Sequence, residues 1–246
     1  MKLLVCISKT PDTTSKISFD SQGKRFIEEG VQYILNPYDE WYSLVRGIEL
    51  KEKFGGQVDV IHVGLASSDI LIRKALAIGA DAAFRVDADP ENSDDVAFQI
   101  SNFAKDKSYD IIFVGKETID HNSSEVGSRL AQYLDLPFVS YCNSLSIELP
   151  NASCSCEIEG GIELVELKIP FVLSAAKGLA EQRIPNMKGI IDAKKKPLEV
   201  INKVSVEHLV ELVEFELPVA KSGVQMINPN DIDTMVGIFK SELKII

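Results

Sequence analysis

Short apolar runs alternate with amphipathic helical patterns through the first half of the chain, and this alternation constrains the fold more than any other feature. The runs KLLVCIS, QVDVIHVG, AAFRVDA and YDIIFVGKE are of strand length and are bounded by turn residues. Helical stretches lie between them. One opens at Asn36-Pro37-Tyr38-Asp39, and a second runs from Ser67 or Ser68 to Ile78, where Gly79 stops it. Two more cover about 94–107 and about 125–134. This order predicts a parallel sheet with helices on its faces. In such sheets ligands sit beyond the carboxyl ends of the strands, where the strand order reverses. At the first helix, Asn36 suits the N-cap, Pro37 the first helical position and Asp39 the third. Trp41, Leu44, Val45 and Ile48 then recur at helical spacing and form a buried face.

The pattern changes near Phe138. SLSIELP, SCSCEIE and IELVELK alternate with period two, and Gly160-Gly161 between the last two predicts a hairpin turn. PFVLSAA returns to a buried strand. Residues 180–197 carry prolines and a glycine and read as an exposed, ordered loop. Beyond Pro197 an extended segment leads to a last helix, opened by Asn228-Pro229, with Ile232, Met235, Val236, Phe239 and Leu243 as its apolar stripe. Such a segment suits an arm reaching a partner subunit or folding back on its own domain.

Three loops follow predicted strands: Ser8 to Lys16, the HVGLASS stretch after Val60, and Gly115 to Gly127. The third gathers Asp120, Asn122, Ser123 and Ser124 ahead of a helix N-terminus, where free N–H groups favour a phosphate. No Walker loop and no Gly-x-Gly-x-x-Gly fingerprint is present. His62, His121 and His208 stand in no nucleophile-and-base pattern, and His121 reads as a solvent-facing loop residue. An α/β domain with ligand loops and no catalytic set points to binding or carriage of a cofactor. The net charge of −11 excludes a general nucleic-acid or anionic-membrane binder. No apolar run is long enough to span a bilayer, and the N-terminal run reads as a first strand, not a signal peptide. Cys6, Cys142, Cys154 and Cys156 form no Cys-x-x-Cys pair and no metal site is expected. Cys154 and Cys156 share a strand face and read as reduced packing residues of a cytoplasmic protein, with a redox pair as the other possibility.

Taken together, NPYDE, LIRKALAIGAD, YDIIFVGKETID, EIEGGIELVELKIPFVLSA and RIPNMKGIIDAKKKP resemble the electron transfer flavoprotein beta subunits in order and spacing. The resemblance covers nearly the whole chain and weakens in the last forty or so residues. It implies a Rossmann-like α/β fold of the adenine-nucleotide-binding type over 1–197, with a small antiparallel hairpin region and a partner-recognition loop at about 178–196. A C-terminal arm, 198–246, would pack on an alpha subunit. It further implies a carrier subunit and not an enzyme. The heterodimer would pass electrons from flavoprotein dehydrogenases, such as the acyl-CoA dehydrogenases of fatty acid beta-oxidation, to a quinone reductase. FAD would be held mainly by the alpha subunit, and a structural AMP by this chain.

Carried over by position, the resemblance puts backbone groups of Cys6 and Val63 at the adenine and the turn Asn36, Pro37, Tyr38, Asp39 at the adenosine. The loop from Gly115 through Asp120 would complete the pocket, with Asn122, Ser123, Ser124, Glu125 and Val126 at the phosphate. Arg183 and Met187 would meet the partner dehydrogenase. The chain departs from the family pattern in the phosphate loop, where Ser123-Ser124-Glu125 replaces Thr-x-Gln. It departs also at Cys156, where a basic residue is usual, at Met187, where a leucine is usual, and at Asp192, where a lysine is usual. Alternatives are a bifurcating relative with a second FAD and an NADH site in place of AMP, a stand-alone nucleotide-binding protein of the stress-protein or pyrophosphatase kind, and a structural subunit with an empty pocket.

Overall fold

The computed structural model describes residues 1–207, 210–221 and 223–246; His208 lies outside the described residues. Strand β1 (Lys2–Cys6) leads through a small antiparallel ribbon of β2 (Lys9–Pro11) and β3 (Tyr33–Leu35) into helix α1 (Asp39–Phe54). There follow β4 (Gln57–Val63), α2 (Asp69–Ile78), β5 (Ala82–Asp87), α3 (Ser93–Ala104), β6 (Ile111–Gly115) and α4 (Val126–Leu134). The second half comprises β7 (Phe138–Glu148), β8 (Asn151–Ile158), β9 (Gly161–Lys168), β10 (Phe171–Ala175), α5 (Met187–Ala193), β11 (Leu198–Asn202) and α6 (Ile232–Ser241).

The main sheet has the order β11-β5-β4-β1-β6-β10-β7-β8-β9. All pairings from β11 to β7 are parallel, and β8 and β9 extend the sheet antiparallel. The mostly parallel α/β architecture is the one the sequence predicts. Side chains of β1 alternate between two cores. Leu3 and Val5 join Leu44, Ile48, Ile72 and Leu76 of α1 and α2 on one face. Leu4 and Cys6 join Ala97, Ile100 and Leu130 of α3 and α4 on the other. Continuous apolar strands such as β1 follow from burial on both faces. Beyond the parallel part, Cys142, Cys154 and Cys156 are buried and unbridged on the α1 side, with Cys142 directly across from Cys156.

The chain runs β1, β4, β5 outward in one direction and then crosses back to place β6 on the other side of β1. The strand order therefore reverses between β1 and β6, and a crevice at their carboxyl ends is the ligand position of such sheets.

Four local expectations are corrected. The helix α1 starts at Asp39, preceded by Tyr38 in the left-handed region (φ 64°), and no side chain caps it. Asn36 is drawn away from the N-cap by two longer-range bonds described below. The β8–β9 turn is Glu159-Gly160, one residue earlier than Gly160-Gly161, because Ile158 pairs with Gly161 and Gly160 takes the positive φ (80°) that a tight turn requires. Within the expected loop before Pro197 lies α5, capped by the Asn186 side chain on the Gly189 N–H at 2.8 Å. Asn228 holds a turn through Asn230, and Asp231 is the residue that caps α6, through Thr234. The segment beyond Pro197 is extended, as expected, and its residues Leu198–Asn202 form the edge strand β11 on β5.

Two compact units divide the chain: 1–17 with 28–213, and 18–27 with 214–246. The smaller unit joins Phe19 to Phe26 by a strand bridge, stacks Phe19 on Phe215 with centroids 4.7 Å apart, and carries α6. No helix among the described residues is long and apolar enough to cross a membrane.

Candidate nucleotide site at the switch point

Asn36 is fully buried, and both ends of its amide are engaged. Nδ2 donates to the Glu117 carbonyl (3.0 Å) and Oδ1 accepts from the Ile119 N–H (3.1 Å). The residue thus clips the β6–α4 loop to the entry of α1. Pro37 behind it is half-buried, and Tyr38 is exposed at the rim. The Asp39 carboxyl is raised above its ordinary value by burial, against the pull of Lys116.

Glu40 makes the matching clip on the β1 side. Its two oxygens accept from the Ser8 N–H (2.6 Å) and the Ser8 hydroxyl (2.7 Å). Burial pushes its carboxyl up to about 8; the Ser8 bonds act against that shift and Asp120 adds to it. The Glu40 role was missed in the sequence, although a signal existed: Glu40, Leu44 and Gly47 fall on one helical stripe whose other members are buried. Gly115 is there to admit this carboxylate. A Cβ on Gly115 would lie 2.7 Å from Glu40 Cγ and 3.2 Å from the Glu40 nitrogen. Gly115→Ala is therefore expected to destabilise the chain by roughly 1–3 kcal/mol in urea unfolding, as overpacking does; an unchanged midpoint would show that α1 yields freely at this point.

In the loop after β6, Asn122 (φ 50°) and Ser124 (φ 55°) both take the left-handed region. Left-handed residues interspersed in a loop turn successive N–H groups to one side, the geometry of anion-holding nests. No side chain caps the first turn of α4, so its leading N–H groups remain for an anion. The side chains are arranged otherwise. Ser124 Oγ donates to Glu117 (3.1 Å), which also pairs with Lys116. Ser123 Oγ lies 3.0 Å from Ser93 Oγ at the start of α3. Glu125, the carboxylate in place of an amide, is tied to Arg129 at 2.9 Å. Val126 is half-buried, Asp120 and His121 are exposed, and Asp120 accepts from the His121 N–H. A phosphate would therefore be met by backbone, with Lys116 as the nearby cation of the loop.

Cys6 and Val63 end β1 and β4, neighbouring strands, and are buried with little exposure. Burial, reinforced by Glu40, pushes the Cys6 thiol up, so it is a neutral packing group. His62 is buried, its Nδ1 2.9 Å from the Ile7 carbonyl, and burial lowers its basicity; it is a neutral core histidine. At the far side of α1, Arg183 grips Glu52 with both guanidinium nitrogens (2.7 and 3.1 Å), and Met187 is 73% exposed.

A doubly wound α/β protein whose strand order reverses between β1 and β6, with a loop of left-handed residues after β6, belongs to the architectures that hold nucleotides. The model of the electron transfer flavoprotein domain matches residues 24–206. The electron transfer flavoprotein subunit beta of Bacillus subtilis is 32% identical over the full length of both chains. Its counterpart in Syntrophomonas wolfei is 36% identical over 91% of this chain and 88% of its own. The caffeyl-CoA reductase-Etf complex subunit CarD of Acetobacterium woodii is 30% identical over 99% and 98%. The chain belongs to the electron transfer flavoprotein beta-subunit family, and electron transfer is the function this membership implies.

Proposed function

We propose that the chain is the beta subunit of a heterodimeric electron transfer flavoprotein and holds AMP in the crevice between β1 and β6. The loop geometry carries the AMP reading. The Asn122 N–H is taken by the Thr118 carbonyl, and the N–H groups that follow it up to Val126 lead into an uncapped helix start. The carboxylates of Glu117 and Glu125 are tied to Lys116, Ser124 and Arg129. Cys6 and Val63 would meet the adenine through backbone and Asp39 the ribose. In this reading Asn36 acts through the loop it clips and leaves ligand contact to its neighbours.

FAD, held mainly by an alpha subunit, supplies the electron-carrying chemistry when bound. This chain contributes the frame around it and the surface that meets other proteins. The arm at 198–246 would pack on the alpha subunit; α6 has no buried residue, and its Ile232 is 62% exposed. The segment 178–196 would meet flavoprotein dehydrogenases such as acyl-CoA dehydrogenases, with a quinone reductase as acceptor, in the cytoplasm. A second reading is a bifurcating subunit with a second FAD and an NADH site in the same crevice. One full-length relative is named as a subunit of a larger caffeyl-CoA reductase-Etf complex, so beta subunits of this kind also serve in other assemblies.

The test is to denature the heterodimer and measure the released nucleotides. AMP and FAD in equal amounts are expected, while FAD alone at twice the heterodimer would establish the second reading. Ser124→Tyr should lower AMP content and slow assembly, since a ligand that binds only the folded state stabilises it. Full AMP in that variant would place the phosphate elsewhere.

A further inference from the structure

Helix α5 is seven residues long, too short to hold itself in water, and the way it is held is specific. Gly189 faces α2 so closely that an added Cβ would lie 2.4 Å from the Ala77 carbonyl oxygen. The Arg73 guanidinium donates to the carbonyls of Ala193 (2.8 Å) and Lys196 (2.6 Å). In return Lys196 Nζ donates to the carbonyls of Leu76 (2.9 Å) and Ala80 (2.6 Å) at the end of α2. Upstream, Trp41 Nε1 donates to the Arg183 carbonyl at 3.2 Å. A segment clamped at both ends nevertheless turns Ile184 (81%), Met187 (73%) and Ile191 (54%) to solvent. Exposed Lys188, Lys194 and Lys195 lie next to them in the segment, outnumbering Glu181 and Asp192, on a chain of net charge −11.

We propose that Gly189, Arg73 and Lys196 are positioning residues: they mount α5 on α2 and so fix the pose in which Ile184, Met187 and Ile191 enter a donor protein's apolar pocket rimmed by carboxylates. This rests on the reading of 178–196 as the docking segment. A pre-mounted anchor loses little freedom on binding, which lowers the cost of association. The lysine rim adds encounter rate against an acidic partner and disfavours a second, like-charged copy of the same patch.

The experiment follows flavin reduction in the heterodimer by an acyl-CoA dehydrogenase reduced with its acyl-CoA substrate, over a range of dehydrogenase concentrations. Met187→Ala should raise the half-saturating concentration roughly ten-fold, the size of one lost buried apolar anchor. Gly189→Ala and Arg73→Gln should raise it comparably, with the maximal rate, flavin content and AMP content unchanged. Emission of Trp41, the single tryptophan, should shift in Gly189→Ala. Wild-type half-saturation should rise with salt, as a lysine rim requires. If Met187→Ala raises half-saturation and both mount variants leave it unchanged, the mounting role is overturned alone. If Met187→Ala itself changes nothing, the docking reading falls and the mount with it. Loss of flavin in both mount variants would make the α2–α5 contact a stability element and overturn the proposal.

Discussion

Asn36→Ala is expected to cost roughly 2–4 kcal/mol, because it leaves the Glu117 carbonyl and the Ile119 N–H without partners in a half-buried loop. For a chain of this size that lowers the melting midpoint by roughly 4–16 °C. The loss should be larger still in nucleotide content, since the loop proposed to meet the phosphate is held at Asn36. Asn36→Asp keeps the acceptor for Ile119 but removes the donor to Glu117 and sets a carboxylate in a fully buried site beside Glu40. Near neutral pH its melting midpoint should therefore lie at or below that of alanine. Thermal scans of the heterodimer with AMP measured on the same samples decide the matter. An alanine variant that melts with wild type would show that the loop holds its shape unaided.

Glu40→Gln should change the pH dependence of stability more than its value at low pH. The folded carboxyl sits near 8 against an ordinary 4.5, so the folded chain binds more protons than the unfolded one between those values. Stability from this group is complete below 4.5 and is lost as pH rises through about 8. A glutamine keeps both Ser8 contacts, accepting from the N–H and donating to the hydroxyl, and does not titrate. The variant should match wild type near pH 4 and exceed it near pH 9 in urea midpoint. Cys6, Asp39 and Asp120 surround the group and remain in both proteins. Parallel pH profiles for the two proteins would show that the Glu40 carboxyl titrates alike in the folded and the unfolded chain and is not raised by folding.

Periodicity made the sheet and its helices legible, because β1 and β6 are buried on both faces and read as continuous apolar runs, and β4 and β5 are apolar between their end residues but for buried Asp59, His62 and Arg85. The three crevice loops were legible for the same reason: they follow those runs. What sequence spacing misplaced depends on contacts far along the chain. Asn36 has a cap's composition, yet its partners are Glu117 and Ile119, over eighty residues away. Helix α5 escaped notice because the prolines around it read as loop, while Asn186 with Gly189 three residues on was the cap signal available. The Glu159-Gly160 turn was displaced by one residue because two adjacent glycines leave the register to the strands themselves. Glu125 illustrates the site's own limit: its charge is visible in the sequence, but its tie to Arg129 is visible only in the fold.

The smaller unit is made from residues 18–27 and 214–246, two pieces from opposite ends of the chain. During synthesis Phe19 and Phe26 leave the ribosome early, but Phe215, on which Phe19 stacks, follows on the order of ten seconds or more later at roughly 5–20 residues per second. The main sheet can be in place by then, since its last strand ends at Asn202. This unit is therefore the last part of the chain that synthesis completes, and it cannot form on a nascent chain that has stopped short of residue 214. A message truncated near its end would yield a finished sheet with Phe19 and Phe26 left uncovered, a mark by which quality control can tell the incomplete product from the whole one.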